Sequence, residues 1–454
     1  MLRSCNPATG EVVATYPFMD DTEIDRHLLV ARTTFLQWRT SQFSERRLYM
    51  LRLAHVLREY KQAASEMMTI EMGKPIAQSV AEVEKCAWCC EYFATNAQEM
   101  LAPQSIATEY TQSTIHFQPM GVLFAIMPWN FPFWQVFRCI APALMAGNTV
   151  VVKHSPEVTG CALMIQEIVR TAGFPGGAYT TVLATHQQAA HIIAHQHISA
   201  VTCTGSTKAG KTVAALAGAN TKKCVLELGG SDPYIILDDA DVRHAAQVCV
   251  QARIVNSGQS CVAAKRFIVM SSIRREFEEL FVEFMKQKVV GNPMEETTHI
   301  GPMARTDLRD ELWQQTSNSI LKGATVLLQG GPTGLGLGSF FTPMVLTNVQ
   351  SGMPAYHQEL FGPVAAIIPV NTEEEAIRVA NDSVYGLGSA VFTSDVIRGE
   401  RVALGLDAGV CAVNDFVKSD PRLPFGGVKD SGFGRELSVF GIREFVTVKT
   451  LCVA

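Results

Sequence analysis

From Gly121 onward, short runs of β-branched and apolar residues alternate with amphipathic stretches, and this alternation sharply limits the folds open to the chain. Runs at 121–127, 149–153, 178–183, 200–204 and 223–228 are each followed by a segment with apolar residues at three- and four-residue spacing. A strand that returns through a helix pairs parallel to its predecessor, so five alternations predict a parallel, doubly wound sheet. A second cycle runs from about Ser231 to Phe425, with strands expected at 234–237, 266–270, 364–369 and 409–413. The predicted class is α/β with two Rossmann-like sheets.

Residues 21–100 read mainly as helices, one over 23–38 capped by Thr22 and another starting at Ser44 and running to Arg58. The polar, Thr-rich segment 106–118 and the tail 445–454 read as extended. Neither is easily buried inside one protomer, so strand exchange between subunits is expected.

With 454 residues, 47% of them hydrophobic, the chain has ample material for two or three large cores. Its net charge of −5 and the lack of a long Lys/Arg run give no footprint for nucleic acid or an anionic membrane. No run approaches the ~20 apolar residues of a membrane span. The amino terminus reaches Asn6-Pro7-Ala8-Thr9-Gly10 without an apolar leader, and twelve cysteines lack framework spacing. A cytoplasmic, small-molecule enzyme is the expectation.

Asn256-Ser257-Gly258-Gln259-Ser260-Cys261 carries the strongest chemical signal. It follows a helix-like run over 242–255 and presents one thiol at the end of a polar turn, which Gly258 is expected to make flexible. A single cysteine is ordinarily a small packing residue. Other motifs raise Cys261 above that: Trp129-Asn130-Phe131-Pro132 after a strand, Glu227-Leu228-Gly229-Gly230 at a strand end, Glu359-Leu360-Phe361-Gly362-Pro363, and Pro424-Phe425-Gly426-Gly427.

Four patterns point elsewhere. Gly205-Ser206-Thr207-Lys208-Ala209-Gly210-Lys211-Thr212 satisfies a phosphate-loop pattern, and Tyr234-Ile235-Ile236-Leu237-Asp238 resembles its acidic partner strand, so a P-loop NTPase is the rival from another reaction class. A dinucleotide pyrophosphate suits such a turn equally well. Cys86-x-x-Cys89 lies in a helical stretch and reads as packing; His191 and His195 lack the glutamate of a zinc helix, so no metal is expected. Gly334-Leu335-Gly336-Leu337-Gly338 reads as a loop.

These motifs together resemble the NAD(P)-dependent aldehyde dehydrogenase superfamily, and the likeness runs from Asn6-Pro7-Ala8-Thr9-Gly10 to the tail, with Glu227 and Cys261 thirty-four residues apart. The resemblance implies an NAD(P)-binding domain (1–105 and 120–229), a catalytic domain (230–426) and an oligomerisation β-flap (106–119 and 443–454) in a homodimer or homotetramer. It makes Cys261 the nucleophile that adds to an aldehyde, Asn130 a donor to the resulting oxyanion, and Glu227 the base for water attacking the thioester. It assigns NAD or NADP to Pro128, Trp129, Lys153, Ser155, Gly205, Ser206, Gly210, Leu228, Gly229, Glu359 and Phe361. Where NAD-preferring members carry a glutamate three residues after the lysine, this chain has Pro156, with Glu157 one later, so use of both cofactors is expected.

Succinate-semialdehyde dehydrogenases of this superfamily have an arginine eight residues after the asparagine and a serine five residues before Pro-Phe-Gly-Gly; here these are Arg138 and Ser419. Both point to an aldehyde with a far carboxylate, such as succinate semialdehyde. A second subfamily arginine is replaced by Val255, which keeps another small aliphatic or ω-carboxylate aldehyde as an alternative.

Overall fold

The computed structural model describes residues 1–333, 336 and 338–454, so the glycine-rich loop expected at 334–338 lies mostly outside the described residues. The first five predicted strands form as β1 (Val122–Met127), β2 (Thr149–His154), β3 (Tyr179–Thr181), β4 (Ile198–Thr204) and β5 (Lys223–Glu227). A second series follows as β6 (Asp232–Ile236), β7 (Ala264–Met270), β8 (Thr325–Leu328), β9 (Met344–Thr347), β10 (Val364–Val370), β11 (Gly388–Phe392) and β12 (Val410–Val413). The short β13 (Gly432–Phe433) returns to the first sheet.

The sheet orders are β13-β5-β4-β1-β2-β3 and β8-β9-β10-β7-β6-β11-β12. All neighbours are parallel except β13 with β5 and β8 with β9. In the first sheet the chain steps outward from β1 through β2 to β3, then crosses back to lay β4 on the other flank of β1. A crevice opens outside the carboxyl ends of the strands where the order reverses, and that is where such sheets bind ligands.

Burial explains why the strands are continuously apolar. β2, β6 and β7 are buried at every position, as parallel strands covered on both faces must be. The helix Trp134–Met145 is buried throughout and packs between β1 and the helix Ile76–Met100. A helix buried all round tolerates a charged residue only if the fold supplies a partner.

One expectation changes. The helix Asp21–Trp38 is capped by Asp20, whose side chain accepts from Glu23 N at 2.8 Å while Glu23 returns the contact at 3.0 Å, so Thr22 lies inside the first turn. The two extended segments pair with each other within the chain: Val446–Val453 runs antiparallel to Gln112–Pro119 from Val446↔Pro119 to Val453↔Gln112. Val446–Val453 forms the outer edge of that sheet, and seven of its eight residues are exposed.

The NTPase reading fails on topology. Its phosphate loop follows β4 and its acidic strand is β6, in the other sheet, whereas ATP hydrolysis needs the acidic side chain beside the loop to hold magnesium. Asp238 instead pairs with Arg398 at 2.9 Å. Cys86 and Cys89 are buried packing residues on the helix Ile76–Met100. Among the described residues no group of side chains is arranged to hold a metal, and no helix is long and apolar enough to cross a membrane.

Candidate active site

Residues 256–260 of the cysteine turn are buried, and hydrogen bonds from the surrounding fold hold them. The helix Val242–Ile254 ends in three consecutive left-handed residues, Asn256 (φ 52°), Ser257 (φ 57°) and Gly258 (φ 80°). Such conformations persist only when the surroundings hold them. Here Asn256 donates its side-chain amide to the carbonyls of Asn130 (2.7 Å) and Gln259 (3.1 Å), and its N–H to Gln78 (2.7 Å). Gly301 N donates to Ser257 Oγ at 3.0 Å, and Arg253 donates to the Gly258 carbonyl at 2.7 Å. Gly258 itself is forced: a Cβ there would stand 2.4 Å from the Gly362 carbonyl.

Cys261 emerges half-buried from this frame onto a cleft of about 540 Å³. Burial pushes its thiol up to about 12, while Arg138 and Lys265 pull it down and Glu359 and Glu227 push it up. Lys265, wholly buried, donates to the carbonyls of Ser260 (2.8 Å) and Cys261 (2.5 Å) and lies 3.4 Å from Glu359. One cation therefore ties the cysteine backbone to the carboxylate across the cleft.

Asn130 faces the same cleft and donates one amide hydrogen to the Gln259 carbonyl at 3.1 Å, leaving the second hydrogen for an oxygen near the thiol. Its turn is held from below. Glu82 accepts from the N–H groups of Phe133 and Trp134, each at 2.9 Å, and is paired with buried Lys74, which also lies 3.8 Å from the Phe131 ring centre.

Glu227 ends β5 beneath the Pro424-Phe425-Gly426-Gly427 turn, so close that a Cβ on Gly426 would stand 2.8 Å from its Oε1. Burial pushes this carboxyl up to about 8; Arg138 pulls it down and Glu436 pushes it up. Arg138 is paired through Nε with Glu436, lies 4.0 Å from Glu227, donates to Thr204 Oγ1 at 3.2 Å and stacks over Phe425 at 4.9 Å. The three charged groups are at most 3% exposed. Arg138, expected to meet a substrate carboxylate, thus stands between two buried carboxyl groups of the protein.

Most of the expected cofactor residues gather on the cleft: Pro128, Trp129, Gly205, Ser206, Leu228, Gly229, Glu359 and Phe361. They stand at the carboxyl ends of β1, β4 and β5, at the switch point, except Glu359 and Phe361, which come from the loop before β10. Three others lie outside the cleft lining. Gly210 lets the helix Thr207–Ala219 press against Leu228, where a Cβ would stand 2.3 Å away. Lys153 and Ser155 lie at the end of β2, and Ser155 bonds Glu157, which Arg305 also binds at 2.9 Å.

The residues present fit a dinucleotide. Ser206 caps the helix Thr207–Ala219 at the cleft, and a Cβ on neighbouring Gly205 would meet nothing within 4 Å, so backbone N–H groups lie open to a pyrophosphate. Glu359 is held by Gly230 N at 3.0 Å, and the Trp129 and Phe361 rings meet edge to face at 5.7 Å. Sequence reasoning missed Glu82, Lys74, Lys265 and Glu436, which no local pattern distinguishes from ordinary surface charges.

Ser419 stands apart from the cleft, accepting from Lys85 at 2.8 Å and from the Trp134 indole at 3.0 Å. Lys85, Trp134 and Val255 line a second cavity, about 550 Å³, on the other side of the Asn130 turn.

Such a pair of α/β sheets, with a dinucleotide-type cleft at one switch point and a cysteine delivered from the second sheet, defines a thiol-bearing oxidoreductase architecture. The chain belongs to the aldehyde dehydrogenase family, matched over residues 1–451. It is 45% identical to a probable succinate-semialdehyde dehydrogenase [NADP(+)] of Synechocystis, over 100% of both chains. It is 43% identical to the succinate semialdehyde dehydrogenase [NAD(P)+] Sad of Escherichia coli, over 99% of this chain and 97% of that one. The solved structure of succinic semialdehyde dehydrogenase from Streptococcus pyogenes with NADP+ superposes with a TM-score of 0.97 at 35% identity, over 100% of both chains.

Proposed function

We propose that this enzyme oxidises succinate semialdehyde to succinate, using NAD or NADP, through a covalent thioester on Cys261. The observation that carries the proposal is the joint placement of Cys261 and Asn130 on one cleft with Glu227 buried at the adjoining strand end. The full-length likeness to succinate-semialdehyde dehydrogenases supports the substrate.

The Cys261 thiol gives its proton to solvent as its sulfur adds to the aldehyde carbon, and negative charge gathers on the former carbonyl oxygen. The free hydrogen of the Asn130 amide and the Cys261 N–H hold that charge. Residues 1–105 and 120–229 bind the dinucleotide, with Ser206 at the pyrophosphate and Glu359 at the nicotinamide ribose. When bound, the cofactor supplies the hydride acceptor. Glu227 takes a proton from the water that attacks the thioester carbon; the carbon–sulfur bond breaks and succinate leaves. A carboxyl poised near neutral pH suits that exchange. Residues 230–426 carry the thiol, and the 106–119 and 443–454 flap joins subunits into a dimer or tetramer.

The test follows the absorbance of reduced nicotinamide with succinate semialdehyde and butanal, each with NAD and with NADP. Preference for the carboxylated aldehyde and its loss in Cys261→Ser are expected. Absence of turnover with any aldehyde overturns the reading.

A further inference from the structure

With Arg138 committed to Glu436 and Glu227, the fold leaves a different cation facing the second cavity. Lys85 has no carboxylate within ion-pair distance among the described residues. Two of the acids around it are held elsewhere: Glu82 is paired with Lys74 and two backbone N–H groups, and Asp420 is forked by Arg422 at 2.7 and 2.9 Å. Lys85 keeps its ammonium over the Trp134 ring, 4.3 Å from the centre. Burial pushes it down to about 8, with Arg138 adding repulsion, as for a charge taken from water without a counter-ion.

Ser419 supplies the second observation. Its oxygen accepts from both Lys85 Nζ and Trp134 Nε1, which occupies its two lone pairs and leaves its own hydrogen to donate. Lys85 has three N–H groups, of which Ser419 takes one. A partly buried cluster with donors to spare suits an anion with two oxygens. The cavity and the cleft of Cys261 share one turn of the chain. Trp129, Asn130 and Gln135 face the cleft of Cys261, whereas Phe131 and Trp134 of the same turn face the second cavity.

We propose that Lys85, with the Ser419 hydroxyl, binds the far carboxylate of the aldehyde and is the residue that sets the enzyme's preference for carboxylated substrates. This rests on the oxidation of a carboxylated aldehyde proposed above. Val255 then leaves room in the cavity in place of a second cation, and Lys85 supplies the charge from the facing helix Ile76–Met100.

Steady-state kinetics of Lys85→Met, Lys85→Arg and Ser419→Ala with succinate semialdehyde and with butanal test the proposal. Lys85→Met is expected to lower kcat/KM for succinate semialdehyde roughly tenfold or more beyond its effect on butanal, mainly through KM. Lys85→Arg should recover most of the difference, and Ser419→Ala should lose part of it. Losses equal on the two aldehydes, or Lys85→Arg no better than Lys85→Met, overturn the role of Lys85. Should Lys85→Met fail to fold by its melting curve, the contrast between Lys85→Arg and Ser419→Ala on the two aldehydes decides. A wild-type enzyme that turns over butanal and shows no preference for succinate semialdehyde overturns the substrate reading itself. Preference that survives in Lys85→Met overturns the lysine alone.

Discussion

Arg138 Nη2 stands 4.0 Å from Glu227 Oε2, and the same guanidinium is paired through Nε with Glu436. The proposed base is thus one of two buried carboxylates sharing a single cation.

That sharing fixes the sign of two substitutions. Glu436→Gln removes a like charge that pushes the Glu227 carboxyl up, so the acid limb of the kcat profile should move to lower pH. Arg138→Met removes the charge that pulls it down, and the limb should move to higher pH. Leaving two carboxylates without their cation should also cost about 3–5 kcal/mol of stability, read by denaturant unfolding.

Glu227→Gln should separate the first turnover from the rest. A burst of about one reduced cofactor per site is expected, followed by a steady rate slowed by about 10²–10⁴, as the thioester waits for water. Stopped-flow absorbance reads both phases. The folded carboxyl holds its proton more tightly than the unfolded one, so its contribution to stability is full below the ordinary value of 4.5 and is lost as pH rises through about 8. The Tm of wild type should therefore fall relative to Glu227→Gln across that interval.

Gly258→Ala should be severe although it adds one carbon. The residue is left-handed and its Cβ would meet the Gly362 carbonyl at 2.4 Å. Strain of about 1–3 kcal/mol adds to a similar cost of overpacking. Thermal unfolding should register the loss, and thiol labelling should show Cys261 more reactive as its frame loosens.

Glu157 is drawn toward Arg305 and Ser155, so its charge is already answered. Turnover with both NAD and NADP is expected. Arg305→Met should release that carboxylate and raise KM for NADP more than for NAD, because a free negative charge repels a 2′-phosphate. Initial rates with each cofactor measure the split.

The strands that end at the cleft were readable because buried parallel strands are written as unbroken apolar runs, and β1, β2, β4 and β5 fall within a few residues of their predicted places. β11 escaped notice because Gly388-Ser389-Ala390 has little strand character, and only its seat between β6 and β12 makes it one. Cys261, Asn130 and Glu227 stood out through motifs that survive as short words. Arg138 was noticed for the right reason, a charge in a buried helix, but its partner Glu436 lies nearly three hundred residues away. Pairings of that kind are set by tertiary packing and leave no local spacing to read. Lys85 was hidden in the same way, its neighbour Ser419 coming from the far end of the chain.

The turn Trp129-Asn130-Phe131-Pro132 divides its side chains between two cavities, with Trp129 and Asn130 on the cleft of Cys261 and Phe131 on the other. With the proposed roles of Lys85 and Cys261, recognition of the aldehyde and bond-making fall on opposite sides of one four-residue turn. Lineages diverging from such a scaffold can exchange Trp134, Val255 or Lys85 and acquire new diets while inheriting the reaction intact, and a protein engineer can follow the same route.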